Sequence, residues 1–347
     1  MEQNIFDLID WRDPISQKKL IPIVSARTPV GTPICGAFKI EGTDLGWPIV
    51  DCVARLTLDS AIEYEDWLLP YGLSLPTDKK DNITATFQEL DSVSSFGFQW
   101  GLAGVMRSEE DLQFRVAKRF GKSAEFFSGK LVLDAGSGAG DQSRWLLKNG
   151  ASVISVDLSN AINVTAQKLK NTTNWFGVQG DITALPFAPN QFEIVYCEGV
   201  IQHTRDSALC VKELSRILKA DGELLATHYI KTPKLLNSIR ILFQELIRKY
   251  LSKLERFSLL LITGILSALS YIPIIGWPLR KAGVVLYQPS MSSFKTTWIN
   301  TFDCYGNHHF QRVITSEKFR SYFEVNKDLV IFKHQNDVIV SKKLLSK

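Results

Sequence analysis

Short apolar runs alternate with polar, helix-like stretches through the middle of the chain. Leu131–Leu133, Ala151–Val156, Asn174–Gln179, Phe192–Cys197 and Glu223–Ile230 each read as a buried strand. Between them, Asp141–Asn149 suits a helix, and Asp206–Lys219 places Cys210, Leu214, Ile217 and Leu218 on one helical face. Before the first strand, Leu112, Val116, Phe120 and Phe127 recur near helical spacing and predict a helix over 109–127. After the core, Thr315–Phe323 predicts a last helix, and Asp328–Lys333 and Asp337–Lys342 a terminal hairpin turning at Gln335-Asn336. Strands alternating with helices predict an α/β fold with a doubly wound parallel sheet.

The ends of the strands carry the chemistry. The first strand ends in Asp134 and runs into Gly136, Ser137, Gly138 and Gly140. Glycine lets a turn adopt backbone angles that side chains forbid and lets a ligand lie against the main chain. The helix start beyond offers N–H groups with no helical partner. A lone glycine pattern is weak, but the next strand ends in Asp157. That is where a doubly wound fold places the carboxylate for ribose hydroxyls. The third strand ends in Gly180-Asp181-Ile182 and the fourth in Glu198-Gly199. One acid at a strand end is usually a cap or a solvated loop residue. Four in series, in phase with the strands, point to a ligand along the edge where parallel strands gather their carboxyl ends. A nicotinamide dehydrogenase would need G-x-G-x-x-G, whereas this loop is D-x-G-x-G-x-G, and Gly180-Asp181 would have no role.

Leu131–Gly140, Val156-Asp157-Leu158-Ser159, Gly180–Phe187 and Gly199–Thr204 resemble the ordered motifs of class I S-adenosylmethionine-dependent methyltransferases, nearest the small-molecule branch with the quinone methyltransferases. Lys219-Ala220-Asp221-Gly222 resembles the family's turn into strand five, with Ala-Asp in place of Pro-Gly. The resemblance covers about 95–230 and, more weakly, 300–342. It implies a seven-stranded Rossmann-like sheet and S-adenosylmethionine as cofactor. The loop of Gly136, Ser137, Gly138 and Gly140 would back the methionine and ribose, and Asp134 would fix the amino group. Asp157, beside Leu158, would hold the ribose hydroxyls. Asp181 would meet the adenine amino group while Ile182 packs on the ring, and Glu198 and Gly199 would line the methionine side. It implies methyl transfer by in-line displacement to a small-molecule or lipid-linked acceptor. His203 is the leading candidate for a base, with His228, Tyr229, Tyr305, His308 and His309 as rivals. A non-catalytic cofactor-binding scaffold and a tRNA methyltransferase are the alternatives.

Residues 1–58 are rich in Pro, Gly and β-branched residues and read as a small β-rich unit. Asp13-Pro14-Ile15-Ser16, then Leu20, and later Gly46-Trp47-Pro48-Ile49, resemble the zinc-ribbon-like domain of tRNA methyltransferase activators. None of the positions corresponding to its ligands, Asp13, Ser16, Ile40 and Thr43, is Cys, so no metal is expected. Residues 59–127 read as a connecting and lid segment, in which Ser95–Gly101 resembles an F-G-x-x-W element over the cofactor. Residues 128–230 and 300–347 form the expected methyltransferase core.

Residues 231–299 interrupt that core. Lys231–Arg256 holds seven Lys or Arg and two Glu, and Phe257–Leu279 carries no charge. Such a run suits a cap over the substrate pocket, an interfacial membrane contact or, least well given Pro273, Pro278, Gly264 and Gly276, a span. Its basic neighbour has the composition of a segment that lies on anionic membranes. The expectation is an insertion that covers the acceptor pocket and associates reversibly with such a membrane, as a peripheral protein at its inner face. The net charge of +4 is too small to argue for DNA, and no basic, aromatic-interleaved patch favours RNA. Five widely spaced cysteines form no C-x-x-C pair and suit the cytosol. The N-terminus is acidic and polar, unlike a secretory signal.

Overall fold

A computed structural model describes residues 4–76, 107–231, 235–287, 293–306 and 312–344. Ser95–Gly101, His308 and His309 lie outside the described residues.

Four N-terminal strands come first: β1 (Leu20–Arg27), β2 (Pro33–Ile40), β3 (Gly46–Val50) and β4 (Val53–Arg55). The central run follows as β5 (Leu131–Ala135), α1 (Asp141–Lys148), β6 (Ser152–Asp157), α2 (Ala161–Leu169), β7 (Trp175–Gln179), β8 (Phe192–Cys197), α3 (Ser207–Ile217) and β9 (Leu218–Thr227). The insertion holds α4 (Leu235–Leu251), α5 (Arg256–Leu269), α6 (Pro273–Lys281) and α7 (Phe294–Tyr305). The chain ends in α8 (Ser316–Glu324), β10 (Leu329–Gln335) and β11 (Val338–Lys343).

Among the described residues the strands form one sheet, in the order β1-β2-β3-β4-β7-β6-β5-β8-β9-β11-β10. The expected doubly wound run is present: β7-β6-β5-β8-β9 are parallel, and β11 pairs antiparallel with β9. The sheet, however, has eleven strands rather than seven. The N-terminal strands join its edge because β4 runs parallel to β7, with Val53 opposite Gly177 and Arg55 opposite Gln179. An exposed strand edge presents unpaired backbone groups, and this pairing covers the one on β7.

Alternate side chains of each central strand face opposite layers, as strand periodicity requires. Val132, Val153, Ile194 and Tyr196 pack with Trp145, Ile162 and Phe127 on one face. Leu133, Ile154, Val195 and Cys197 pack on the other with Leu214 and Phe319, and that core extends without a break to Phe6, Trp11 and Phe38. Phe6 meets Phe176 edge-on at 4.7 Å, and Trp11 lies 5.4 Å from Phe187. The N-terminal unit thus shares the core of the central sheet.

One local expectation needs correction. Residues 109–127 form short pieces, Glu109–Leu112, Gln113–Ala117, Lys118–Phe120 and Glu125–Phe127, rather than one helix. Gly121, at φ 74°, breaks the run. Asp303–Tyr305 ends helix α7, and the Tyr305 hydroxyl donates to Val284 O at 2.9 Å.

Candidate active site

The site is built at the carboxyl ends of β5, β6, β7 and β8. The turn after β5 places Gly136, Gly138 and Gly140 at φ of 85°, 54° and 81°. At Gly136 a side chain is excluded twice. Its φ is left-handed, and an added Cβ would stand 2.2 Å from Val200 Cγ2. The N–H groups of Gly136 and Ser137 donate to Val156 O at 2.8 and 3.0 Å.

Asp157 closes this turn. Its Oδ2 accepts from Gly138 N at 2.8 Å, and its Oδ1 accepts from Ser159 N at 2.8 Å and Ser159 Oγ at 2.6 Å. Burial raises its pKa against the pull of these bonds. Leu158 is half-buried beside it.

Asp134 lies deeper. Burial pushes its carboxyl up to about 7, with the Ser143 hydroxyl opposing and the charges of Asp157 and Glu198 adding. Ser143 Oγ donates to Asp134 Oδ2 at 2.5 Å and lies 2.7 Å from Ser155 Oγ. Trp175 Nε1 donates to that same Ser155 oxygen at 2.8 Å. This chain from Trp175 through two serines locks the rotamer of Asp134. None of its three supports is evident from the sequence, since their sequence separations follow no motif.

At β7, Asp181 Oδ1 accepts from Thr183 N and Thr183 Oγ1, both at 2.7 Å, which fixes the carboxylate at the head of the turn. Ile182 is buried behind it. Gly199 follows β8 with a left-handed φ of 73° and donates to Thr227 Oγ1 at 2.9 Å.

Glu198 has a different environment from the one its motif suggests. Its Oε1 accepts from Arg119 at 2.6 Å and Arg115 at 3.2 Å, and its Oε2 accepts from Tyr196 OH at 2.7 Å. Burial alone would raise its pKa, but Arg115, Arg107 and Arg119 outweigh burial and hold it low. Its carboxylate is therefore committed to the protein, and the cations around it are the group sequence reasoning missed. The signal was present: Arg107, Asp111, Arg115 and Arg119 recur every four residues, one helical face. Arg119 also bonds Asp337, tying the segment to β11's edge.

The candidate bases separate clearly. His203 is half-buried, with its ring 5.6 Å from that of Tyr229 in an edge contact. Tyr229 is 38% exposed, and its phenol pKa is raised, chiefly by burial and then by Asp303. His228 points into the core. Its ring lies 5.3 Å from Phe319, its Nδ1 is 3.1 Å from Tyr229 O, and burial lowers its pKa. Tyr305 is buried among the insertion's helices.

The arrangement fits a nucleoside bearing a positively charged amino-acid tail. Left-handed glycines offer backbone to the ligand, and the buried Ser137 Oγ has no hydrogen-bond partner among the described residues. Asp134 and Asp157 would hold the ammonium and ribose groups, and Asp181 and Ile182 the adenine.

Comparison with known proteins agrees with this geometry. The methyltransferase domain family matches residues 133–226. Over 122 residues the chain is 34% identical to malonyl-[acyl-carrier protein] O-methyltransferase of Enterobacter lignolyticus, covering 35% of this chain and 44% of that protein. Over 145 residues it is 31% identical to demethylmenaquinone methyltransferase of Staphylococcus carnosus, covering 41% and 54%. The chain thus spans about half the length of the curated relatives it matches. A complex of the Haloferax volcanii Trm112 methyltransferase activator with a putative methyltransferase is similar at 14% identity and a TM-score of 0.41, covering 73% of this chain and 95% of that one. That TM-score is too low to bear on function. Residues 133–226 are a methyltransferase domain, and its cofactor is S-adenosylmethionine.

Proposed function

We propose that the chain transfers a methyl group from S-adenosylmethionine to a small-molecule or lipid-linked acceptor by in-line displacement. The observation that carries this reading is the glycine turn with Asp134, Asp157 and Asp181 aligned along one sheet edge. The cofactor supplies an electrophilic methyl on a sulfonium. The chain's part is to hold donor and acceptor in line and keep water away, the positional share of catalysis. Asp157 and the Gly138 N–H fix the turn that would cradle the ribose. Asp134, locked by Ser143 and Ser155, presents a carboxyl toward the cationic tail.

His203 and Tyr229 stand where an acceptor's proton would leave. His203 is the candidate to receive it, its ring in edge contact with that of Tyr229. Tyr229, with its raised pKa, keeps its proton and can donate a hydrogen bond to the acceptor. The insertion supports a covered acceptor site, because it leaves and rejoins the sheet here. Ile230 pairs with Ile314, and Arg312 N donates to Gln202 O at 3.2 Å.

The N-terminal unit is, in this reading, a cysteine-less relative of the zinc-ribbon-like domain. Hydrogen bonds occupy the four positions where that domain has its ligands. Asp13 Oδ2 accepts from Ser16 Oγ at 2.5 Å, Asp13 Oδ1 from Trp47 Nε1 at 2.9 Å, and Ile40 O from Thr43 Oγ1 at 2.9 Å.

The test is transfer of labelled methyl from the cofactor into a cell extract separated into lipid, polysaccharide, RNA and small-molecule fractions. Label in the lipid or small-molecule fraction is expected. Label confined to RNA would overturn the acceptor class, and none in any fraction would favour a binding scaffold.

A further inference from the structure

The insertion has its polarity inverted. On α5, Phe257 and Leu261, four residues apart, are 68% and 65% exposed, and Ile265 continues the stripe. The opposite face begins with the buried Leu259 but continues as the small hydroxyl residues Thr263 and Ser267, with Ser270 at the C-cap, all three fully buried. In water the apolar stripe would turn inward. Small hydroxyl residues facing protein while large apolar ones face outward is how helices pack in lipid.

The contact between α5 and α7 has the same character. Trp298 Nε1 donates to Leu260 O at 2.8 Å, and a Cβ at Gly264 would stand 3.1 Å from that indole. Hydroxyls bond to their own helix: Thr263 Oγ1 donates to Leu259 O at 2.8 Å and Thr301 Oγ1 to Thr297 O at 2.7 Å. At the bend to α6, Ile274 is 88% exposed and Trp277 follows at 59%. On α4, Leu242, Leu246 and Tyr250 form a third exposed stripe at four-residue spacing.

Charge decides the occupant. Residues 235–287 hold seven Lys or Arg and two Glu, a net +5 by 7 − 2. Two copies of this face would set those charges against each other, whereas an anionic surface would attract them. Lys281 lies 4.3 Å from the Trp277 ring and Arg280 4.7 Å from that of Tyr287, cations beside aromatics at the rim of the apolar face. At 14 residues α5 is about 21 Å long, short of a bilayer's hydrocarbon core of about 30 Å, and it meets α6 at a bend of 117°.

We propose that α5 and α6, with the outer stripe of α4, embed in one leaflet of an anionic bilayer, and that the methyl acceptor is an amphiphile presented from that leaflet. The second clause rests on the methyl-transfer reading above; the first does not. Lys295, at the start of α7, adds its charge to that around Lys168, and Lys168 Nζ donates to Ala139 O in the glycine turn at 2.8 Å.

The test is sedimentation of the full chain with vesicles of phosphatidylcholine alone or mixed with phosphatidylglycerol, beside the double variant Ile274→Glu/Trp277→Glu. The wild type should pellet with the acidic vesicles and at least about tenfold less with neutral ones or in high salt. The double variant should stay in the supernatant while its circular dichroism and its binding of S-adenosylmethionine are unchanged. Retention of the wild type in every supernatant, equal pelleting with neutral vesicles, or a vesicle-free dimer that the double variant splits would each overturn the proposal. No cofactor is needed for pelleting, so its failure leaves the methyl-transfer reading to its own test. Pelleting combined with label found only in a water-soluble metabolite would overturn the amphiphile clause alone.

Discussion

Two regions are added to the same central sheet, and they differ in how many of their large apolar residues they leave outside. The N-terminal strands sink Phe6, Trp11 and Phe38 into the core beside Phe176 and Phe187. The insertion buries Leu259, Phe302 and Tyr305 between its helices together with several hydroxyls, but carries Phe257, Tyr250 and Trp277 on its outside. Both regions are apolar in sequence. The difference lies in which neighbour each is fitted to: the edge of β7 for one, and for the other, on the proposal above, a lipid surface. Composition alone cannot separate these cases, whereas the direction in which each helix or strand turns its large residues does.

The largest effect should come from the buried region. Trp11→Ala removes a side chain that is 2% exposed and bonded to Phe6 O at 3.0 Å. It should cost about 3–5 kcal/mol in urea unfolding. Leu261→Ala on the insertion should change stability by less than about 0.5 kcal/mol. Equal losses at the two sites would break the contrast between the regions.

The sheet edge between the regions should act independently of both. Asp157→Ala should weaken cofactor binding by about 2–3 kcal/mol through the lost charge-assisted bonds. An unchanged dissociation constant by calorimetry would count against the register that puts Asp157 on the ribose.

A smaller effect concerns pH. Asp134 is raised to about 7, so below that pH it holds a proton. A cationic cofactor favours the ionised form, and binding must then release the proton. Affinity should therefore rise with pH and level off above about 7, about tenfold weaker at pH 6 than at pH 8. Asp134→Asn should bind more weakly and flatten the profile; a profile that keeps its slope in that variant would exclude Asp134 as its source.

The smallest expected effect is none. Elemental analysis should find no zinc, and a chelator should leave the unfolding temperature unchanged, since Asp13, Ser16, Ile40 and Thr43 are joined by hydrogen bonds. One zinc per chain, with loss of the N-terminal fold on chelation, would contradict this.

The central strands were legible in the sequence because they are short and buried, and β5 to β8 each carry an acid at or near the carboxyl end. The glycine turn was legible because left-handed angles admit few other residues. What escaped were arrangements created by the tertiary fold. Three residues, Val53–Arg55, fuse the N-terminal unit to β7, and no local pattern marks so short a parallel pairing. Ser143, Ser155 and Trp175 converge on Asp134 from a helix and two strands. The pairing of Glu198 with Arg115 and Arg119, some eighty positions earlier, is likewise invisible in its own motif. The apolar run 257–279 was plain, but its inverted burial depends on α7, which arrives later in the chain.

Calorimetric titration of the purified chain with S-adenosylmethionine, and separately with NAD, tests the central claim most directly. One molecule of S-adenosylmethionine should bind per chain, its demethylated product should compete, and NAD should give no heat. Tight NAD binding without binding of the sulfonium would contradict the assignment of Asp134, Asp157 and Asp181 to this cofactor.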